Sequence, residues 1–349
     1  MKSSLVPPVT TSTGAPATTM QVRRDLETAN LELASGRHAD MGLALGGRAS
    51  VLVEARAQRT LLEGLKDDAG IAASRLSAVQ LSLANMVDGA HAMLGTLMPL
   101  RTGQMDPAVA AGQARGHFAA MIAAVNATSH GSFVFGGINV GEAPLADFFA
   151  EPPPAARQAV ADAFVARFGF PPGDPAAAGI SAADMADFLD NVLAPLFASP
   201  QWESLWSAAT DETMKSLVSL NDVVSATASA NDPAIRKLAM GYVMVAGLGL
   251  ESLGRAARDV VAERAVRTFG EAIAGLNEMR GIVGVQEKRV ADARERLDVQ
   301  MAWLDQQITG MEQVDLHAVA MRINALQTML EASYAVSGRL QNLTLLNYM

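Results

Sequence analysis

No proline follows Pro233, and that absence bounds what the last third of the chain can become. A proline costs about 3 kcal/mol inside a helix, so a proline-free stretch permits very long helices. Periodicity adds the positive sign. Leu276, Val283, Val290, Leu297, Leu304 and Met311 place an apolar residue at every seventh position, the spacing of a narrow coiled-coil seam. The companion set, Met279, Gln286, Ala293, Gln300, Gln307 and Val314, is half polar. The spacing predicts one helix of roughly 50 Å or more, at about 1.5 Å per residue.

A matching stripe lies in the first third. Leu65, Ala69, Ala72, Leu76, Val79, Leu83, Met86, Ala90, Met93 and Leu97 step by four and three without a break. Two unrelated surface helices on a globular core are the plain alternative. Two stripes of nearly equal length, each too narrow for burial all round, are better satisfied by packing on each other. The expectation is a mainly α chain whose two ends build a long antiparallel helical rod or coiled coil.

The last segment repeats the pattern. Asp315 suits a helix N-cap, and Leu316, Val319, Ile323, Leu326 and Leu330 follow on one face, continued by Leu340, Leu343 and Leu346 up to Tyr348-Met349. A free terminus normally frays, and one this apolar needs a partner inside the chain or outside it. An isolated helix of this length is marginal in water, so the segment is expected to order on assembly.

The middle reads differently. Ten of the fifteen prolines lie between Pro144 and Pro233, and nine of the seventeen aromatics, from Phe148 to Trp206, lie in the same stretch. Aromatics bury large areas, which predicts a compact insertion with a small core of its own over residues 142–229. Val160, Phe164, Val165 and Phe168 suggest one short helix. Ser181-Ala-Ala-Asp184 is a helix start of capping-box type, with Phe188, Leu189, Val192, Leu193 and Leu196 behind it. Met214–Leu220 and Val223–Ala228, split by Asn221-Asp222, read as a β-hairpin. The division expected is residues 1–45 with 312–349, residues 46–141 with 230–311, and the insertion 142–229.

Composition removes several functions. The formal charge of −9 argues against a nucleic-acid binder held by phosphate contacts. The lack of cysteine excludes disulfides, thiolate metal sites and cysteine nucleophiles. The N-terminus has no apolar core of the kind a secretory signal needs. Gly116 to Gly141 is uncharged but rich in Gly, Ser, Asn and Thr, and Leu238–Leu250 is too short to span a bilayer. A soluble chain without membrane insertion is expected.

Catalytic patterns are also missing. His38, His91, His117, His130 and His317 show no helical metal-pair spacing. Gly131-Ser-Phe-Val-Phe-Gly136-Gly137 lacks the Lys-Ser/Thr of a phosphate loop. Gly247-Leu-Gly249, expected within a helical stretch, has Ser252 where a dinucleotide loop needs glycine. Asp67-Asp68 suit a solvated helix flank. No Gly-x-Ser-x-Gly elbow occurs, so neither an enzyme nor a cofactor is expected.

Three segments carry a family resemblance. Leu31-Glu-Leu33-Ala-Ser35-Gly36-Arg37-His38-Ala39-Asp40 is similar to the L-S-S-G-x-R-I region near the start of bacterial flagellins. The Gly131–Gly137 segment resembles the G-x-Y-L-F-S/G-G of hook–filament junction proteins. Glu312-Gln-Val-Asp315-Leu-His-Ala318-Val-Ala-Met-Arg322 resembles the flagellin-family entry to the last helix, and the ending from Gln327 to Tyr348 looks like a junction protein. The resemblance covers Leu26–Gly137 and Ala230–Met349. The first twenty residues are less apolar than the family pattern, so the first helix is expected to start near Met20.

The resemblance implies a structural subunit exported through the flagellar type III channel without a cleaved signal. It implies assembly outside the cell between hook and filament. The partners would be copies of itself, a hook-associated protein on the hook side, flagellin on the filament side and a cytoplasmic export chaperone. Assembly contacts are expected from Leu26, Leu31 and Leu33 with Leu316, Val319, Ile323, Leu326, Leu330, Leu340, Leu343 and Leu346. Rod pairing is expected from Leu65, Leu76, Val79, Leu83, Met86 and Leu97 with Leu276, Val283, Val290, Leu297, Leu304 and Met311. A filament flagellin is the nearest rival, and a soluble signalling coiled coil is the rival of another class.

Overall fold

The computed structural model describes the backbone of residues 14–346 and the side chains of residues 18–339. The chain is mainly α-helical, with two small antiparallel hairpins. It divides into two compact units, a terminal one from residues 1–62 and 299–349 and a central one from residues 63–298.

Helices α1 (Gly14–Ser35), α2 (Met41–Leu45) and α3 (Ala49–Arg101) open the chain. The first helix starts earlier than the expected Met20. Pro16 lies in its first turn, where a missing N–H costs nothing because no intrahelical acceptor exists for it. Pro99 sits in the last turn of α3, and the connection to α4 (Pro107–Val125) is short, closed by Gly103 at φ +74°.

Three helical segments start with the same dipeptide. Asp106 accepts a hydrogen bond from the Ala108 N–H ahead of Pro107, Asp174 from Ala176 ahead of Pro175, and Asp232 from Ala234 ahead of Pro233, each at 2.8 Å. The aspartate satisfies an orphan donor and the proline presets φ. Pro233 thus opens α8 (Pro233–Ala246), a helix buried on nearly all sides. Gly247-Leu-Gly249 lies beyond its end, not within a helix as expected, and Gly249 adopts φ +64°. The 58-residue α9 (Arg255–Glu312) and α10 (Leu316–Leu346) complete the chain.

The twelve residues expected to pair along the rod are all buried. In the central unit the α3 positions Ala69 to Leu97 and the α9 positions Ala257 to Ala293 belong to one hydrophobic core, and Lys66 meets Asp298 at 2.5 Å. In the terminal unit the Arg59 Nε donates to Asp305 at 2.6 Å. Within the terminal unit Arg56 meets Glu312 and Arg59 meets Asp305, so rising numbers on α3 run against falling numbers on α9.

Between α4 and α8 the chain forms β1 (Thr128–Ser129), β2 (Ser132–Phe133), α5 (Ala155–Phe168), α6 (Ala182–Asp187), α7 (Gln201–Leu205), β3 (Lys215–Ser219) and β4 (Asp222–Ser225). The Ser181 cap is present: its hydroxyl accepts from the Asp184 N–H at 3.1 Å and donates to the Asp184 carboxylate at 2.7 Å. Strands β3 and β4 pair with Leu217 opposite Val223, the hairpin read from the sequence.

The aromatics of this stretch do not close on themselves. Ring contacts of 5.0–5.7 Å run from Phe269 on α9 through Tyr242 on α8, Phe118 on α4 and Phe148 to Trp206 and Trp202. They share one core with the long helices, so a separate small core is not what forms. The Gly131–Gly137 segment belongs to the same core. Val134 and Phe135 are buried, and their carbonyls accept from the N–H groups of Ala228 and Ala230 at 2.9 and 2.8 Å. A Cβ on Gly137 would stand 2.3 Å from the Thr210 carbonyl, so the segment's last glycine is needed for this close approach.

Candidate assembly surface

The terminal unit brings two of the resembling segments together. Helix α1 ends at Gly36, whose φ of +69° turns the chain, and its N–H reaches the Glu32 carbonyl at 2.9 Å. Arg37 then bridges Gln313, the His38 N–H donates to the Glu312 carbonyl at 2.9 Å, and the Val314 N–H donates to the Gly36 carbonyl at 3.1 Å. The turn after α1 and the turn before α10 are thus one backbone-paired element. Asp315 caps α10, accepting from the N–H groups of His317 and Ala318 at 2.9 and 3.2 Å.

Two buried carboxylates lock this corner. The Glu312 side chain is 4% exposed and lies between Arg37, at 3.2 Å, and Arg56. Glu32 accepts from the Ala39 N–H at 3.2 Å and faces His38 and Arg322 at 3.8 and 3.7 Å. A buried carboxylate is tolerated only when charge and hydrogen bonds replace its hydration, and both acids have that replacement.

Helices α1 and α10 lie along each other around a small core of Ala29, Val314, Val319 and Ile323, flanked by Leu26 and Leu326. Val319 and Ile323 find their apolar cover within the chain, on α1. Of the other residues expected to make assembly contacts, Leu330 is half-buried, while Leu31, Leu33 and Leu316 are exposed. The side chains of Leu340, Leu343 and Leu346, and all of Tyr348-Met349, lie outside the described residues.

The expected list missed a second face of α10. Ala318, Met321, Ala325, Met329, Ala332 and Val336 step by three and four, and all six are exposed. The alternation of alanine with methionine was legible, but alanine carries little hydrophobic contrast. Leu43, 86% exposed on α2, and Trp303, 63% exposed on α9, add large apolar side chains to the surface of this unit. More than half of the exposed large apolar side chains among the described residues fall in the terminal unit, which holds about a third of the chain. Dense apolar exposure of this kind marks an interaction surface.

Among the described residues no helix is long and apolar enough to cross a membrane, and no three His, Asp or Glu side chains gather as a metal site.

Comparison with known proteins agrees with this geometry. Residues 266–349, most of α9 and all of α10, match the family model of the bacterial flagellin C-terminal helical region. No curated protein matches the sequence. A solved structure described as a putative flagellar hook-associated protein from Vibrio parahaemolyticus matches with a TM-score of 0.50 at 7% identity, covering 76% of this chain and 97% of that one. At that identity the likeness is one of fold.

Proposed function

We propose that this chain, which carries a flagellin-type C-terminal helical region, is a structural subunit of the bacterial flagellum seated at the hook–filament junction, of the hook-associated protein 3 kind. The observation that carries the reading is the exposed apolar face of α10 within the flagellin-type region, beside a buried face already satisfied by α1. One face of the helix builds the subunit and the other is left for a neighbour. Fully burying a Met- or Val-sized side chain contributes about 1.5–3 kcal/mol, so Met321, Met329 and Val336 together set roughly 4.5–9 kcal/mol against the entropic cost of docking, with the three alanines between them allowing close approach.

In this reading residues 1–45 with 312–349 hold subunits together, residues 46–141 with 230–311 form the helical body, and residues 142–229 face outward. The partners are further copies of the chain, a hook-associated protein on one side and flagellin on the other. Export proceeds through the flagellar channel with a chaperone, and the assembled protein is extracellular and non-enzymatic. The family-model match equally admits a filament flagellin, and the Gly131–Gly137 segment and the Tyr348 ending favour the junction.

A strain lacking the chain tests the proposal. It should shed unpolymerised flagellin into the medium and fail to swim. Supplying the chain without residues 327–349 should not restore swimming. Full rescue by that truncated chain would remove the last helix from the assembly role.

A further inference from the structure

The end of α3, the α3–α4 turn and the first turn of α9 enclose a cavity of about 260 Å³ in the central unit. Its floor is apolar, with buried Leu100, half-buried Met105 and Pro107. Its walls carry three guanidinium groups, those of Arg101, Arg255 and Arg258. One acid, Asp259, shares the lining, and among the described residues it pairs only with Arg255, at 4.0 Å. Arg101 and half-buried Arg258 have no acidic partner among the described residues.

Helix stability accounts for only one of the three. Arg101 lies in the last turn of α3, where a cation is favoured by the helix dipole. Arg255 and Arg258 lie in the first turn of α9, where the same dipole disfavours a cation and which holds no acidic residue of its own; the 4.0 Å contact with Asp259 is all that offsets Arg255 among the described residues. This happens in a chain with 36 acidic and 27 basic residues, which has acids to spare for pairing. Three arginines therefore line one cavity with a single acid, Asp259, among them.

We propose that this cavity receives an acidic segment of another polypeptide. Guanidinium forks pair two-pronged with carboxylates, and the aliphatic stems of Glu or Asp side chains cover the Leu100–Met105 floor. A small inorganic anion fills the charge requirement and leaves that floor wet, so the cavity selects a peptide over free phosphate. The inference stands apart from the flagellar assignment.

Fluorescein-labelled hexaglutamate, titrated with the full chain and read by anisotropy, tests it. Saturable binding is expected, weakening as salt rises. The double variant Arg101→Gln/Arg258→Gln removes two charge-assisted contacts and should bind at least about tenfold more weakly. Arg294→Gln/Arg296→Gln, an exposed pair on α9 far along the sequence, should bind as the parent does. Arg101→Lys/Arg258→Lys keeps the charge but loses the two-pronged fork, so it should bind more weakly than the parent and more tightly than the glutamine variant, and it gives the reading if the glutamine variant melts early. Inorganic phosphate should displace the peptide only weakly. Absence of saturable binding, equal losses in the two glutamine pairs, or displacement by phosphate at concentrations comparable to the peptide would each overturn the proposal.

Discussion

The Arg56 Nε donates to the Glu312 carboxylate at 2.9 Å, joining residues 256 positions apart in the chain. Glu312 ends α9, and with Arg37 on its other oxygen it fixes the turn that leads into α10. Replacing Glu312 with Ala leaves two guanidiniums facing each other over an emptied site. Breaking a fully buried pair costs about 3–5 kcal/mol, but both arginines are more than half exposed, so about 1–2 kcal/mol is expected. Urea unfolding should report that loss, and limited proteolysis should cut faster at 313–315. Unchanged values for both would mean that the pair only decorates the corner.

The seam of the central unit is a second test. Val290 and Leu83 are essentially inaccessible on α9 and α3. An aspartate at either position buries an unpaired charge, at a cost of about 3 kcal/mol or more. The circular-dichroism melt should fall by several degrees for each variant. An identical melt would place that residue outside the packed seam.

Residues 142–229 should not be removable without harm. Joining Gly141 to Ser229 deletes Phe148, Trp202 and Trp206, and Phe118 would lose its 5.7 Å neighbour on one side. Truncating a buried aromatic costs about 3–5 kcal/mol. The shortened chain should bind a hydrophobic dye and melt without cooperativity. A sharp melt near that of the parent would instead indicate a core complete without this stretch.

Stability should also respond to pH through Asp232. Burial pushes its carboxyl above the ordinary 3.8, with Glu278 adding in the same direction, against the opposing pull of the Ala234 N–H and Arg236. A raised folded value means that the folded state holds the proton more tightly than the unfolded one. The contribution is therefore complete below pH 3.8 and lost as the pH rises through the folded value. Asp232→Asn keeps an oxygen for the Ala234 N–H and never ionises. It should be the more stable protein at neutral pH, with the advantage closing as the pH falls through the folded value and gone below 3.8. A constant difference across that range would contradict the shift.

Much of this architecture was readable because a seven-residue repeat leaves few alternatives. Leu276 to Met311 and Leu65 to Leu97 mark their helices, and Asp315 marks the start of the last one. What periodicity could not say was what else joins the core of the two stripes. Phe148 and Trp206 advertise a core, but nothing in their spacing reveals that the core continues through Phe118 and Tyr242 to Phe269. The second face of α10 was obscured by its alanines. The cover that α1 gives Val319 and Ile323 was obscured for another reason: it depends on residues nearly three hundred positions away. The early start of α1 went unseen because low apolar content was read as the absence of helix, whereas the stretch from Gly14 needs no apolar face to be helical.

The central proposal is that this chain is a subunit of the junction between hook and filament, held to its neighbours by the exposed face of α10. Immunogold electron microscopy of flagella with an antibody to residues 142–229 tests it directly. The account predicts a single collar of label at the filament base. Label distributed along the whole filament, or none on the flagellum, would contradict it.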